Sequence, residues 1–184
     1  MRRGERVRRA ALCALLAALI LGAAPRFTLS SGDFTDQATL ESAFAYDKDG
    51  CGGRNRRPRL AWSGAPSGTR SFVLVMSDPD APAGTFYHWI RVDIPKTRTQ
   101  LPPRDRGGAV NLGIDTRNSF GTVGYAGPCP PPHEAPHRYV FTLYALSVER
   151  LAGIGPDSEP QAVLSRLRGH IVGEARLIGR YGRG

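Results

Sequence analysis

Ser71–Ile94, SFVLVMSDPDAPAGTFYHWIRVDI, decides how this chain is read. Ser71–Ser77 is an apolar, β-branched run of the length of a buried strand. It stops at Asp78-Pro79-Asp80-Ala81-Pro82, where two prolines fix φ and withhold ladder donors. Gly84 relaxes the chain and Phe86–Ile94 resumes a β-rich run. Strand, rigid turn, strand is therefore expected. Asp78 falls at the end of the first strand and His88 within the second. If the two strands pair, an acid and an imidazole meet at one edge of a sheet. A cis bond at Ala81-Pro82 would suit so stiff a turn.

A second stretch, Asn118–Tyr144 (NSFGTVGYAGPCPPPHEAPHRYVFTLY), serves the same edge. Gly121, Gly124, Gly127 and the prolines of 128–132 make a long, stiff loop. It delivers His137 and Tyr139 to the start of a strong strand, Tyr139–Leu146. Residues two apart on a strand share a side, so His137 and Tyr139 face the same way. Arg138 points to the other face, as does Tyr87 relative to His88.

The motifs DPDAP, His88-Trp89, Gly121–Pro131 and His137–Leu146 together resemble the phosphatidylethanolamine-binding protein family, also called the Raf kinase inhibitor protein family, in its bacterial branch. The resemblance runs from about Phe27 to the C-terminus. It implies a mainly β fold: two antiparallel sheets with Greek-key connections and one or two short C-terminal helices. It also implies a small anion pocket formed by Asp78, Pro82, His88, Gly127, Pro128, His137 and Tyr139. In that pocket His88, His137 and Tyr139 would donate to a phosphate or phospholipid head group. Asp78 would orient an imidazole or accept from an ammonium group. No cofactor is implied. A protein partner, such as a kinase or a protease, is. Two departures stand out. Arg56-Arg57 follows Asn55 where the family has a Ser-Pro pair. His133-Glu134-Ala135-Pro136 replaces the glycine expected before His137-Arg138-Tyr139.

Around this centre, 184 residues with 41% hydrophobic content suit one domain with a sizeable core. Frequent glycine (22) and proline (15) favour a loop-rich β protein. The net charge is +9, of which Met1–Ala24, with five arginines and Glu5, carries +4. The remaining excess clusters only at Arg54, Arg56, Arg57 and Arg59. It lacks the basic stripe with interleaved aromatics that nucleic acid requires. Residues 1–24 read as a basic leader and an apolar run, hence a signal peptide or an uncleaved membrane anchor, with export either way. The domain then spans 25–184.

Tyr46–Arg57 is a Gly- and Asp-rich loop, Pro58–Ser63 a short strand, and Lys96–Arg117 a polar surface loop. Asp157 or Ser158 is placed to cap a helix with Pro160 in its first turn, which Gly169 ends. His170–Tyr181 returns to strand composition. Cys51 and Cys129, the pair outside the leader, are either a disulfide of an exported protein or two free thiols.

Three functions compete on these residues. The first is a non-enzymatic binding module for a small anion or head group. The second is an enzyme using Asp78, His88 and His137 as acid, base or metal ligands. The third is an interaction protein working through Arg54–Arg59.

Overall fold

Ser71–Asp78 and His137–Leu146 lie side by side at the centre of the molecule, buried along nearly their whole length. The structure is a computed structural model and describes residues 26–103 and 112–184. The expected leader, 1–24, lies outside the described residues. In chain order the strands are β1 Thr28–Ser31, β2 Leu60–Ser63, β3 Ser71–Asp78, β4 Phe86–Pro95, β5 Gln100–Leu101, β6 Ile114–Asp115, β7 His137–Leu146 and β8 Ile171–Tyr181. Among the described residues one helix, α1 (Pro160–Leu167), precedes β8, and one 3-10 turn occupies Ser42–Phe44.

Two antiparallel sheets form, one ordered β1-β2-β5 and the other β6-β4-β3-β7-β8. Successive strands β3, β4 and β6 run outward, and β7 returns to pair with β3 on its free side. This is the expected Greek-key path.

The alternation of β3 sorts its side chains into two cores. Phe72, Leu74 and Met76 face the small sheet, packing with Leu29, Leu60, Trp62, Leu101, Tyr139, Phe141 and Leu143. Val73 and Val75 face the other way, with Ile90 and Val92, onto Leu151, Val163 and Leu167. The molecule is thus layered as small sheet, large sheet and helix. Asp78 continues the first set and His137 continues that of β7, so both end on the inner face of the sandwich.

Two details differ from the sequence expectation. The N-cap of α1 is Glu159, with no side-chain cap bond. Asp157 pairs instead with Arg117 (3.0 Å), and the Ser158 hydroxyl accepts from the Gly155 N–H. Pro160 does take the first turn, and Gly169 follows the helix at φ +87°, a left-handed value that glycine adopts without strain. Segment 96–117 is not only a surface loop. It carries β5 and β6, and Leu101 and Leu112 are buried. Two-residue strands have too few alternations to show in a sequence.

Candidate functional site

The proline turn after β3 works as turn chemistry and as site chemistry at once. Asp78 Oδ1 accepts the Asp80 N–H (2.9 Å), which closes the turn locally. Asp78 Oδ2 is left for the ring of His137, whose Nδ1 donates to it at 2.7 Å. Asp80 itself is drawn outward by Arg138, whose main-chain N–H (2.9 Å) and guanidinium both bind it. Those Arg138 bonds hold the Asp80 carboxyl down to about 2. The turn contains no cis bond, so Ala81-Pro82 is trans and the expectation of a cis peptide fails.

His88 reaches the site through a bulge. Met76 pairs with Trp89 and Ser77 with Tyr87, so His88 is the extra residue of β4. Its ring therefore lies on the same side as Phe86 (centroids 4.9 Å) and Tyr139 (5.2 Å), while Trp89 also stays in the inner core. The Nδ1 of His88 lies 2.9 Å from the Ala126 carbonyl and 3.0 Å from that of Gly127. Both partners only accept, so Nδ1 carries the proton and the tautomer is settled. Burial drives the ring's pKa down to about 4, against the pull of those carbonyls and of Asp78. His88 is thus a neutral ring whose Nε2 is an acceptor, with no hydrogen-bond partner among the described residues. The expectation that it donates to an anion is corrected: its single N–H is already spent on the main chain.

His137 is the opposite case. Asp78 holds Nδ1 and the Glu134 carboxylate lies 3.3 Å from Nε2. A ring between two carboxylates is served by the doubly protonated form. Burial works against that charge, but the bonds and charges of Asp78 and then Glu134 prevail, and the pKa is raised.

These groups line a cavity of about 180 Å³ whose walls are Asp78, Ala81, Pro82, Phe86, His88, Phe120, Cys129, Pro130, Pro131 and His137. Of the residues expected at the pocket, Asp78, Pro82, His88 and His137 line it. Gly127, Pro128 and Tyr139 do not, and stand behind the wall. Tyr139 is fully buried. Its hydroxyl sits near Asp78 and the Cys129 main chain without a hydrogen bond of good geometry. Burial and the Asp78 charge keep the phenol protonated. Gly127 matters by close approach. A Cβ there would collide with the Phe44 carbonyl and with the Ala45 and Tyr46 main chain. Its N–H donates to Asn55 Oδ1 (2.8 Å), and Asn55 Nδ2 donates to the Tyr125 carbonyl (3.2 Å), so Asn55 clamps the loop that fixes His88.

Sequence reasoning missed the aromatic wall. Phe86 was legible as sharing a side with His88 two residues on. Phe120 was not, because only folding stacks it on Tyr46 (4.5 Å) and against Phe86 (4.7 Å). Cys51 and Cys129 form a disulfide with Cα atoms 5.3 Å apart, which ties loop 46–57 to the cavity wall.

The arginine cluster is mostly consumed by structure. Arg59 binds Asp33 (2.9 Å), Arg56 lies over the Phe44 ring (4.7 Å), and Arg57 is buried over Trp89 (5.2 Å). Of the four, Arg54 alone extends into solvent with no partner among the described residues.

The two histidines predict opposite pH dependences of stability. Unfolded His88 binds a proton below about 6.5, whereas folded His88 does so only near 4. In that window the unfolded state holds more protons, so stability falls on acidification, by roughly 3 kcal/mol in all. For His137 the folded pKa is the higher one. Its contribution is complete below about 6.5 and is lost as pH rises through the raised value. Urea unfolding across pH 4–9 should therefore show a maximum near pH 6–7. His137→Ala should flatten the alkaline limb. An alkaline limb unchanged in that variant would refute the assignment.

Comparison with known proteins bears on the family and the fold. The chain is 44% identical over 137 residues to a UPF0098 protein of Aquifex aeolicus, covering 72% of this chain and 78% of that one. A UPF0098 protein of Methanothermobacter thermautotrophicus is 37% identical over 158 residues, covering 85% and 99%. The crystal structure of Escherichia coli YbcL, described as a new member of the mammalian PEBP family, superposes with a TM-score of 0.80 at 33% identity. The match covers 86% of this chain and 99% of that one. The family model for phosphatidylethanolamine-binding protein matches residues 30–182, and with the inner-face site at the β3, β4 and β7 ends this chain belongs to the phosphatidylethanolamine-binding protein family.

Proposed function

We propose that this protein is a non-catalytic binding module whose cavity holds a small ligand carrying an ammonium group beside a phosphate, as in a phosphoethanolamine head group. Family membership supports a binding function. The observation that carries the ligand class is the buried Asp78–His137 pair (2.7 Å) beside the neutral His88 ring. The imidazolium attracts a phosphate by its charge, its two N–H groups being already turned to Asp78 and Glu134. Asp78 and the His88 Nε2 are acceptors for an ammonium group, and the Phe86 and Phe120 rings give it a π wall. A cavity of about 180 Å³ suits a head group and leaves no room for acyl chains.

Catalysis is less well served. Both Nδ1 atoms are already engaged, and among the described residues no group of three or more His, Cys, Asp or Glu side chains is placed to hold a metal. Export is proposed with the binding role: the leader-like composition of residues 1–24 and the Cys51–Cys129 disulfide both support an oxidising compartment.

The test is an NMR titration of the histidine ring signals with phosphoethanolamine. Saturable shifts at His88 and His137 are expected, with the His88 shift abolished in His137→Ala. Silence of both rings at millimolar ligand would refute the head-group reading. A refutation would turn attention to protein partners of the kinase or protease type.

A further inference from the structure

Glu134 is the one charged side chain at the site that neither strand chemistry nor turn chemistry requires. It lies in the loop before β7, about half exposed, and meets His137 Nε2 from the solvent side at 3.3 Å. The charges around the cavity then sum simply. Asp78 and Glu134 are carboxylates, His137, set between them, is an imidazolium, and His88 is neutral because its ring is buried. Asp80 and Arg138 cancel one another outside. The site therefore carries one net negative charge. Both N–H groups of His137 already face carboxylates, so a free oxyanion meets occupied donors and a repulsive field. A ligand that brings its own cation meets the two carboxylates and the His88 acceptor instead.

We infer that Glu134 sets the charge selectivity of the cavity, screening out plain phosphate and admitting phosphate that carries a neighbouring ammonium group. The inference rests on the head-group reading above and adds to it the residue that discriminates. Without Glu134 the site would be electrically balanced, and the outer donor of His137 would be open to any oxyanion. A unit charge at this range, partly screened by solvent, is worth about tenfold in affinity.

Calorimetric titration of wild type and Glu134→Gln with inorganic phosphate and with phosphoethanolamine tests this. Glutamine keeps the shape and removes the charge, and the exposed loop position leaves the fold unaffected. Wild type should prefer phosphoethanolamine. The variant should bind inorganic phosphate about tenfold more tightly, with the preference narrowed by the same factor. An unchanged preference, with wild type still binding phosphoethanolamine, overturns the role of Glu134 and leaves the head-group reading standing. An equal change in Glu149→Gln, in the loop beyond the far end of β7, also overturns it, because net charge alone would then explain the effect. Failure of wild type to bind either compound overturns both readings.

Discussion

Replacing Asp115 with alanine is expected to lower the unfolding free energy by about 3–5 kcal/mol. Asp115 stands opposite Arg91 in the β4–β6 pairing. Its two oxygens accept from Arg91 Nε (2.7 Å) and from a second guanidinium nitrogen (2.8 Å), and Oδ1 also accepts from Trp89 Nε1 (2.8 Å). The Arg91 side chain is 4% exposed and that of Asp115 is 21% exposed. Removing the carboxylate takes two charge-assisted bonds from a buried guanidinium and the acceptor from an indole N–H. The cost is that of breaking these bonds where solvent replaces them poorly, and it exceeds the net worth of the intact pair. Asp115→Asn should cost less, because an acceptor remains for Trp89. Urea unfolding of the three proteins measures both effects, and a loss below 1 kcal/mol for the alanine variant would show that water reaches Arg91 readily. A further consequence lies at the cavity. Trp89 adjoins His88, so loosening its ring should broaden the His88 signal.

Removing the disulfide is expected to cost a similar amount, about 4.5 kcal/mol in the chain-entropy model, because Cys51 and Cys129 are 78 residues apart. The double variant Cys51→Ser, Cys129→Ser keeps both loops near their native size while freeing the unfolded chain. Function should suffer beyond stability. Cys129 lines the cavity, and its partner anchors loop 46–57, whose Asn55 clamps the Ala126–Gly127 carbonyls that orient His88. Phosphoethanolamine affinity should therefore fall even where the variant is fully folded. If oxidised and serine proteins unfold at the same urea concentration, the cross-link is not limiting the unfolded chain.

Much of the strand layout was legible in the sequence. The end of β3 at Asp78 was readable, because prolines stop ladders by their own chemistry. The shared side of His137 and Tyr139 followed from strand parity, and the helix over Pro160–Leu167 from Pro160 in its first turn and Gly169 beyond its end. Asp78 and His137 were candidates from placement and from resemblance, and folding brings them to 2.7 Å.

Other features had no local signature. Strand parity places His88 and Trp89 on opposite faces, yet a bulge puts both on the inner side. The partner strand decides that, by pairing Ser77 with Tyr87 and skipping His88. Parity rightly put Tyr139 beside His137, but not at the cavity surface, because depth depends on how far the proline loop folds over it. Glu134 was visible only as a departure from the family pattern, with no hint that it reaches His137.

By itself, then, the sequence determined what periodicity and backbone chemistry control: a β-rich domain, the strand ends, and the proline turn that aims Asp78. Only the tertiary structure decided what depends on partners distant in the chain. Those are the His88 tautomer, the charge state of His137 and the register that buries Arg91 with Asp115. A proton is placed, and a charge stabilised, by atoms that meet through folding, and no local pattern of residues encodes that meeting.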